Sequence, residues 1–323
     1  MKTLLSEEEA LKILRSGGIV AVPTETVYGL ACVAENKDAV AEIYAIKQRP
    51  ADNPLICHFY SLEQLKQYVQ PINDIEEVLI QHFCPGPLSF VLTLRKNSPL
   101  SFATGGRESV VARIPAHPLF LSLLTKMNKP LAAPSANTSG KYSATNAQMV
   151  LHDLGDKIQG VLDGGESING LESTIIQTTS EEIIILRPGV IGPNELEEIL
   201  KEKFPNIKIH YGTSAQTTPG AHYKHYAPHT PLFEIKNISE WIPDSSSALI
   251  TVDEILNTIH RQANILSLGS IHQPNKIASS LYKTMFLLDE MHLKQAFVFL
   301  PEITDAHWHI TIRNRLNKML EAD

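Results

Sequence analysis

Short apolar runs that end in polar clusters form the main pattern along the first two thirds of the chain. Ser6 and Glu9 have the spacing of a capping box, and Gly17 ends the apolar periodicity that follows them. The next apolar run, residues 19–22, has the length of a buried strand. Helices and strands mix without strict alternation, which favours an α/β domain with a mixed sheet. Further helices are predicted at 38–46, 74–83, 118–124, 147–154 and 195–203, and further strands at 55–59, 89–94, 110–114, 131–133, 161–163, 174–177 and 183–186.

Residues 211–231 interrupt this pattern, because they are rich in glycine, proline, serine and threonine and therefore indicate a linker. After them the alternation becomes regular and predicts a small parallel, Rossmann-like sheet. It lacks a Gly-x-Gly-x-x-Gly turn, so no nucleotide is expected there. Its strands are predicted at 248–252, 264–268 and 296–300, and its helices at 255–262, 277–288 and 308–320. The predicted division is a first domain at 1–208, a linker or lid at 209–231 and a second domain at 232–323.

Composition limits the class of protein. The chain has 323 residues, enough for about two domains, and a net charge of −7. Residues 1–231 contain 20 Lys+Arg and 24 Asp+Glu and residues 232–323 contain 8 and 11, so neither part offers the basic face of a protein that grips a long nucleic acid. The three cysteines match no zinc or redox spacing and are expected to be reduced structural thiols. With an acidic N-terminus and no run of apolar residues long enough to span a membrane, the chain is expected to be soluble and cytoplasmic.

Five polar clusters follow the predicted strands and helices. They contain hydroxyls, amides and cations, the groups that hold a phosphorylated ligand. Each cluster also has a structural interpretation, such as a threonine-capped turn or cations at a helix C-terminus. The clusters are residues 23–30, 47–50, 134–137, 173–175 and 187–189.

Two further features leave alternatives open. Arg113 lies in apolar surroundings and needs a partner, which is either a ligand carboxylate or phosphate or an acidic residue of the protein. His222, His225 and His229 suggest zinc, but prolines bound the segment and no cysteine or aspartate joins it, so a lid over a pocket is the favoured interpretation.

Taken in order, these clusters resemble the threonylcarbamoyl-AMP synthase family in its long, two-domain form. The catalytic domain of that family, which is YrdC-like, is matched at residues 23–30, 47–49, 52–55, 85–87, 113–115, 135–137, 173–175 and 187–189. The linker signature is matched at 219–220 and 225–228, and residues 314–316 resemble the end of the family's C-terminal domain. The implied fold is α/β, a twisted open mixed sheet with a concave cavity, followed by a small Rossmann-like parallel domain.

The resemblance also implies a reaction: L-threonine, bicarbonate and ATP give threonylcarbamoyl-adenylate and pyrophosphate. Mg²⁺ is expected on ATP, with no metal held by protein side chains and no organic cofactor. A downstream complex would use the product to modify the adenosine beside the anticodon of tRNA, and direct tRNA binding is expected to be weak or absent. Two alternatives remain, namely a non-catalytic RNA-binding module and a related carbamoyl-transfer enzyme.

By position, the resemblance gives roles to individual residues. Lys47 and Arg49 would be the catalytic cations that contact the ATP phosphates. The sequence after Asn137 lacks the family's usual prolines around Ser143, so the pose of that serine is a point for the structure to decide. The other ATP-binding residues would be Asn53, Ser109, Ser135, Asn137, Ser143, Arg187 and Tyr223, and the threonine-binding residues would be Thr26, His58, Arg113, Ala133 and Ser173.

Overall fold

A computed structural model describes residues 3–212, 226–256, 258–259 and 264–320. The α-helices are α1 (Glu7–Arg15), α2 (Lys37–Lys47), α3 (Leu62–Leu65), α4 (Asp74–Phe83), α5 (Pro118–Met127), α6 (Ala147–Leu154), α7 (Pro193–Leu200), α8 (Asp253–Leu256), α9 (Pro274–Glu290) and α10 (Ala306–Leu320). The strands are β1 (Leu4–Leu5), β2 (Val20–Val22), β3 (Gly29–Val33), β4 (Ile56–His58), β5 (Leu88–Thr93), β6 (Ser109–Arg113), β7 (Leu131–Ala132), β8 (Val161–Leu162), β9 (Thr174–Thr178), β10 (Glu182–Arg187), β11 (Lys208–Tyr211), β12 (Leu232–Glu234), β13 (Ser247–Thr251), β14 (Asn264–Ser267) and β15 (Gln295–Val298).

Local capping explains why several predicted helices begin where they do. The Ser6 hydroxyl accepts the Glu9 amide at 3.3 Å while the Glu9 carboxylate accepts the Ser6 amide at 2.8 Å, so the predicted capping box is confirmed. Asn73 and Glu76 make the same reciprocal pair ahead of α4. These contacts satisfy backbone N–H groups that the first helical turn leaves unpaired.

The first sheet has eleven strands in the order β1-β8-β2-β3-β7-β4-β6-β5-β9-β10-β11. Pairings are mixed: β4 and β6 are parallel, whereas β2 and β3, β5 and β6, and β9 and β10 are antiparallel. β2 and β3 are apolar throughout, and all their residues are buried. The predicted mixed α/β sheet is therefore confirmed.

The second sheet has four parallel strands in the order β12-β15-β13-β14, with α9 and α10 beside it. The predicted parallel sheet is confirmed, with one strand more than the pattern indicated. β12 was not predicted because three residues directly after the linker carry too little periodicity to mark a strand. In place of the predicted helix at 255–262 the described residues contain the short helix α8, and residues 257 and 260–263 lie outside the described part.

The two sheets belong to units that meet closely. A methyl group added at Gly170, in the loop before β9, would lie 2.4 Å from the carbonyl oxygen of Ser279 in α9. One added at Gly192 would lie 2.6 Å from the ring of His307 in α10. Among the described helices, none is long and apolar enough to cross a membrane.

Candidate active site

A cavity of ≈ 580 Å³, counted with its open mouth, lies where the central strands of the first sheet end. Because β3, β4, β6, β7, β9 and β10 are neighbours or near neighbours in the sheet, their ends bring together side chains that are far apart in sequence. Eight predicted site residues line it: Thr26, Arg49, His58, Arg113, Ala133, Ser135, Ser173 and Arg187.

Arg113, at the end of β6, is buried at one side of this cavity. Its Nη2 donates to Glu25 Oε1 at 2.5 Å, Nη1 to Thr26 Oγ1 at 2.8 Å and Nε to the Gly86 carbonyl at 3.1 Å. The acidic partner that the sequence left open is therefore Glu25. These bonds use three of the five guanidinium N–H groups, so two remain for a planar anion such as a carboxylate.

His58, at the end of β4, lines the cavity on the same side and is buried. Burial, with a smaller contribution from Arg113, holds the pKa of its imidazole well below 6.5, so the ring is neutral at neutral pH. Its Nδ1 is buried without a hydrogen-bond partner among the described residues. A buried nitrogen without a hydrogen bond costs free energy, and a polar ligand that bonds to it would recover that free energy.

Arg49 and Arg187 form the cationic part of the cavity wall. Arg49 donates from Nε and Nη2 to Asn53 and Pro54, and Arg187 donates from Nε and Nη2 to Ser173. In both residues this leaves the Nη1 N–H groups for a ligand. Burial, with a contribution from Arg187, lowers the pKa of Arg49 to about 10. A buried and a partly buried guanidinium group that repel each other are suited to an anion with several charges.

Lys47, the last residue of α2, lies behind this wall. Its ammonium group donates to the carbonyl oxygens of Ser135 and Asn137 at 2.5 and 2.6 Å. Burial and then the neighbouring Arg49 hold the pKa of Lys47 well below 10.5. Lys47 thus fixes the turn at residues 134–137 that carries Ser135 into the cavity.

The remaining predicted residues that the structure describes, which are Lys47, Asn53, Ser109, Asn137 and Ser143, are not among those that line the cavity. Asn53 is bonded to Arg49, and the Asn137 amide donates to the carbonyls of Thr138 and Lys141. Ser109 begins β6, the strand that ends at Arg113, and pairs with Thr93. Tyr223 lies outside the described residues.

Among the lining residues outside the five predicted clusters, two polar ones were missed, Glu172 and Tyr226. Glu172 accepts the Ser143 hydroxyl at 2.6 Å, so the predicted nucleotide-side serine contacts the cavity through this carboxylate. Tyr226 was assigned no role, although it belongs to the matched linker motif, and it lines the cavity in a left-handed conformation with φ of 72°. Both lie close in sequence to residues that were predicted for the site, since Glu172 precedes Ser173 and Tyr226 lies three residues after Tyr223. That proximity could have indicated them.

Within the described part of the chain, no group of three or more histidine, cysteine or acidic side chains could hold a metal ion. Cys32, Cys57 and Cys84 are free, and burial raises the pKa of each thiol. The lining side chains offer guanidinium groups, hydroxyls, one imidazole and one carboxylate as the cavity's binding chemistry.

Comparisons with known proteins agree with this geometry. A family model named for Sua5, YciO and YrdC, described as "Telomere recombination", matches residues 12–189. A second model, described as "Threonylcarbamoyl-AMP synthase, C-terminal domain", matches residues 191–319. Together the two models cover almost the whole chain.

Individual relatives match most or nearly all of the chain. Threonylcarbamoyl-AMP synthase of Bacillus subtilis is 36% identical over 96% of this chain and 91% of its own length. The enzyme of the same name from Pyrococcus abyssi is 45% identical over 68% of this chain and 64% of its own length. The crystal structure of P. abyssi Sua5 complexed with L-threonine superposes with a TM-score of 0.85 at 32% identity, over 99% of this chain and 96% of that one. This chain therefore belongs to the Sua5, YciO and YrdC family, in the form that also carries the threonylcarbamoyl-AMP synthase C-terminal domain.

Proposed function

We propose that this protein is an L-threonylcarbamoyladenylate synthase, which converts L-threonine, bicarbonate and ATP to threonylcarbamoyl-AMP and pyrophosphate. The observation that carries the proposal is one cavity that is lined by Arg113, which has two N–H groups unused, and also by Arg49 and Arg187. The full-length similarity to P. abyssi Sua5, whose structure was determined with L-threonine, supports the amino-acid substrate.

Threonine occupies the side with Arg113, Thr26 and His58 in this proposal. Its carboxylate takes the two remaining N–H groups of Arg113, a bidentate geometry that a lysine cannot offer. Glu25 neutralises the guanidinium in the absence of ligand, so the arginine is held in place before threonine arrives. Ser173, whose hydroxyl is 2.8 Å from that of Ser89, and the backbone at Ala133 complete this side.

ATP, with Mg²⁺ bound to it as part of the substrate, occupies the side with Arg49 and Arg187. Their free Nη1 groups face the triphosphate, and Ser135 contributes from the turn that Lys47 fixes. Asn53, Asn137 and Ser143 act here by holding these groups. Ser109 and Tyr223 stay predictions on the nucleotide side.

The chemistry follows from placing three substrates in one cavity. The threonine amine attacks the carbon of bicarbonate or carbon dioxide and forms an N–C bond, with release of water from bicarbonate. A carbamate oxygen then attacks the α-phosphorus of ATP, and the bond between the α-phosphorus and the bridging oxygen to the β-phosphorus breaks. Pyrophosphate leaves with its charge neutralised by the arginines and Mg²⁺. Positioning and charge stabilisation are sufficient for this reaction, and no covalent nucleophile is required.

The wider setting of the reaction is part of the same proposal. A downstream complex takes the adenylate and transfers its threonylcarbamoyl group to the adenosine beside the tRNA anticodon. Direct tRNA binding by this chain is weak or absent, in keeping with its net charge of −7. Two separate sheets support a division into residues 1–208, a linker at 209–231 and residues 232–323, although the first sheet extends to Tyr211.

The test is to incubate the protein with ATP, Mg²⁺ and bicarbonate and with each amino acid in turn, and to look for the adenylate by mass spectrometry. Threonine is expected to give the adenylate and one equivalent of pyrophosphate. Serine, which lacks the threonine methyl group, is the matched control and should react more slowly. Pyrophosphate release that does not depend on threonine or on bicarbonate would refute the proposal.

A further inference from the structure

Glu172 is an acidic residue in the wall of a cavity that is otherwise suited to anions. Its side chain is buried, and it lies directly before Ser173, to which Arg187 is bonded. The carboxylate interacts electrostatically with the Arg187 guanidinium. An uncompensated negative charge at this point would either repel a triphosphate or occupy the cation that the triphosphate needs.

The compensation for Glu172 comes from the second unit of the chain. Tyr282 of α9 donates its hydroxyl to both carboxylate oxygens, at 2.9 and 3.1 Å, and Arg315 of α10 donates from Nε at 3.3 Å. Burial by itself would raise the pKa of the Glu172 carboxyl, but Arg315, Arg187 and the Ser143 hydroxyl together lower it below 4.5. Glu172 is therefore a carboxylate with its hydrogen bonds largely satisfied by α9 and α10.

The groups that reach Glu172 are held rigidly. Arg315 has no exposed surface, and its Nη1 donates to the Pro188 carbonyl at 2.6 Å. Its guanidinium lies 5.7 Å from the centre of the Tyr226 ring, and that ring stacks on Tyr282 with centres 5.4 Å apart. The cluster thus joins both C-terminal helices to a residue that lines the cavity.

We propose that Arg315 and Tyr282 are positioning residues for nucleotide binding, because they occupy the Glu172 carboxylate and so leave Arg187 free for the phosphates of ATP. The C-terminal unit is then part of the nucleotide site, although none of its described residues lines the cavity. This inference rests on the proposed function only in taking ATP as the ligand.

The test measures binding of a non-hydrolysable ATP analogue with Mg²⁺, and separately of L-threonine, by calorimetry on the full chain. Arg315→Met is expected to weaken binding of the analogue by about tenfold or more, since a buried carboxylate loses its cationic partner. Threonine binding should change less, because the contacts of Arg113, the proposed partner of the threonine carboxylate, do not include Glu172 or Arg315. Arg313→Met is the matched control: it lies on the same helix, but its ion pair with Glu234 and its bond to Leu300 stay within the C-terminal unit.

A variant that also neutralises Glu172 shows whether Arg315 acts through its charge or through its packing. The double variant Arg315→Met with Glu172→Gln should bind the analogue within about threefold of the parent protein, since no buried carboxylate remains to be compensated. Both tryptophans, Trp241 and Trp308, lie in the C-terminal unit, so their fluorescence reports whether that unit is folded in each variant.

Binding and folding measurements are sufficient to test the role of Arg315, and no measurement of turnover is needed. Unchanged analogue binding in folded Arg315→Met overturns the inference, and so does a double variant that binds as weakly as the single one. If Arg315→Met does not fold, the double variant decides: restored binding supports charge compensation, and failure to fold or to bind overturns it. A parent protein that binds ATP but forms no adenylate would refute the proposed function and leave this inference standing.

Discussion

Arg113→Lys tests the threonine side of the cavity most directly. Lysine keeps one positive charge near Glu25 but replaces a planar fork with a single ammonium group. Of the three bonds that Arg113 makes, those to Gly86 and Thr26 depend on the reach of the guanidinium and are expected to be lost. A ligand carboxylate would also lose one of its two parallel hydrogen bonds.

The magnitudes follow from these contacts. A hydrogen bond to a charged group contributes about 1.5–3 kcal/mol, so threonine affinity should fall roughly 10- to 150-fold. Leaving the Gly86 carbonyl unpaired should lower the free energy of unfolding by about 1–3 kcal/mol. Binding of the ATP analogue should be almost unchanged. Calorimetric titration gives the affinities, and urea unfolding followed by circular dichroism gives the stability.

Glu25→Gln is the control for Arg113→Lys, because it should lower the stability of the protein without changing the groups that bind threonine. It leaves the Arg113 charge buried without an ionic partner, which should lower the free energy of unfolding by about 3–5 kcal/mol. Threonine binding should be retained, since the fork is intact. Unchanged threonine affinity in Arg113→Lys, or an equal loss in both variants, would refute the assignment of Arg113 to the carboxylate.

Three further variants probe other parts of the site. Lys47→Met leaves two turn carbonyls unpaired, so it should lower the free energy of unfolding by about 1–3 kcal/mol for each and slow adenylate formation; unchanged thermal stability would contradict this role. The folded protein holds the pKa of His58 well below its ordinary value of 6.5, so protons bind preferentially to the unfolded chain and the free energy of unfolding declines as the pH falls below 6.5. His58→Asn removes this titrating group and should make the decline shallower in acid-unfolding curves. Gly189→Ala would place a methyl group 2.4 Å from the Thr174 amide nitrogen, so it should lower the free energy of unfolding by about 1–3 kcal/mol and reduce turnover. Gly106→Ala is its control, because no atom lies within 4 Å of the added methyl group and only backbone strain opposes the change.

Helices with strong local signals were predictable from the sequence. The predicted bounds of α4 and α6 agree with the structure because asparagine caps at Asn73 and Asn146 fix their first turns. β3 was not predicted, because the segment ahead of it contains Thr24, Glu25 and Thr26, which are polar and nevertheless buried. A polar segment that is buried to form a site departs from the pattern on which such predictions rely.

The types of side chain that form the site were also evident from the sequence, because hydroxyls and cations follow apolar runs in five clusters. The resemblance to a family then predicted eight residues that do line the cavity. Lys47 and Asn53 were predicted as direct ATP ligands, which stays a prediction; in the structure Lys47 donates to the Ser135 carbonyl and Asn53 accepts from Arg49. A sequence indicates which groups are near a site, whereas the direction of each side chain depends on the packing around it.

What the sequence alone determined is local: the caps, the apolar runs, the linker and the kinds of chemical group beside them. Only the tertiary structure decided which charges meet. Arg113 pairs with Glu25 across 88 positions of the chain, and Arg315 reaches Glu172 across 143. Such pairs produce no periodic pattern in the sequence, because the folded sheet and the packing of α9 and α10 determine their proximity. The physical reason is that a buried charge must be compensated wherever the fold places it, and the fold brings the compensating group from a distant segment.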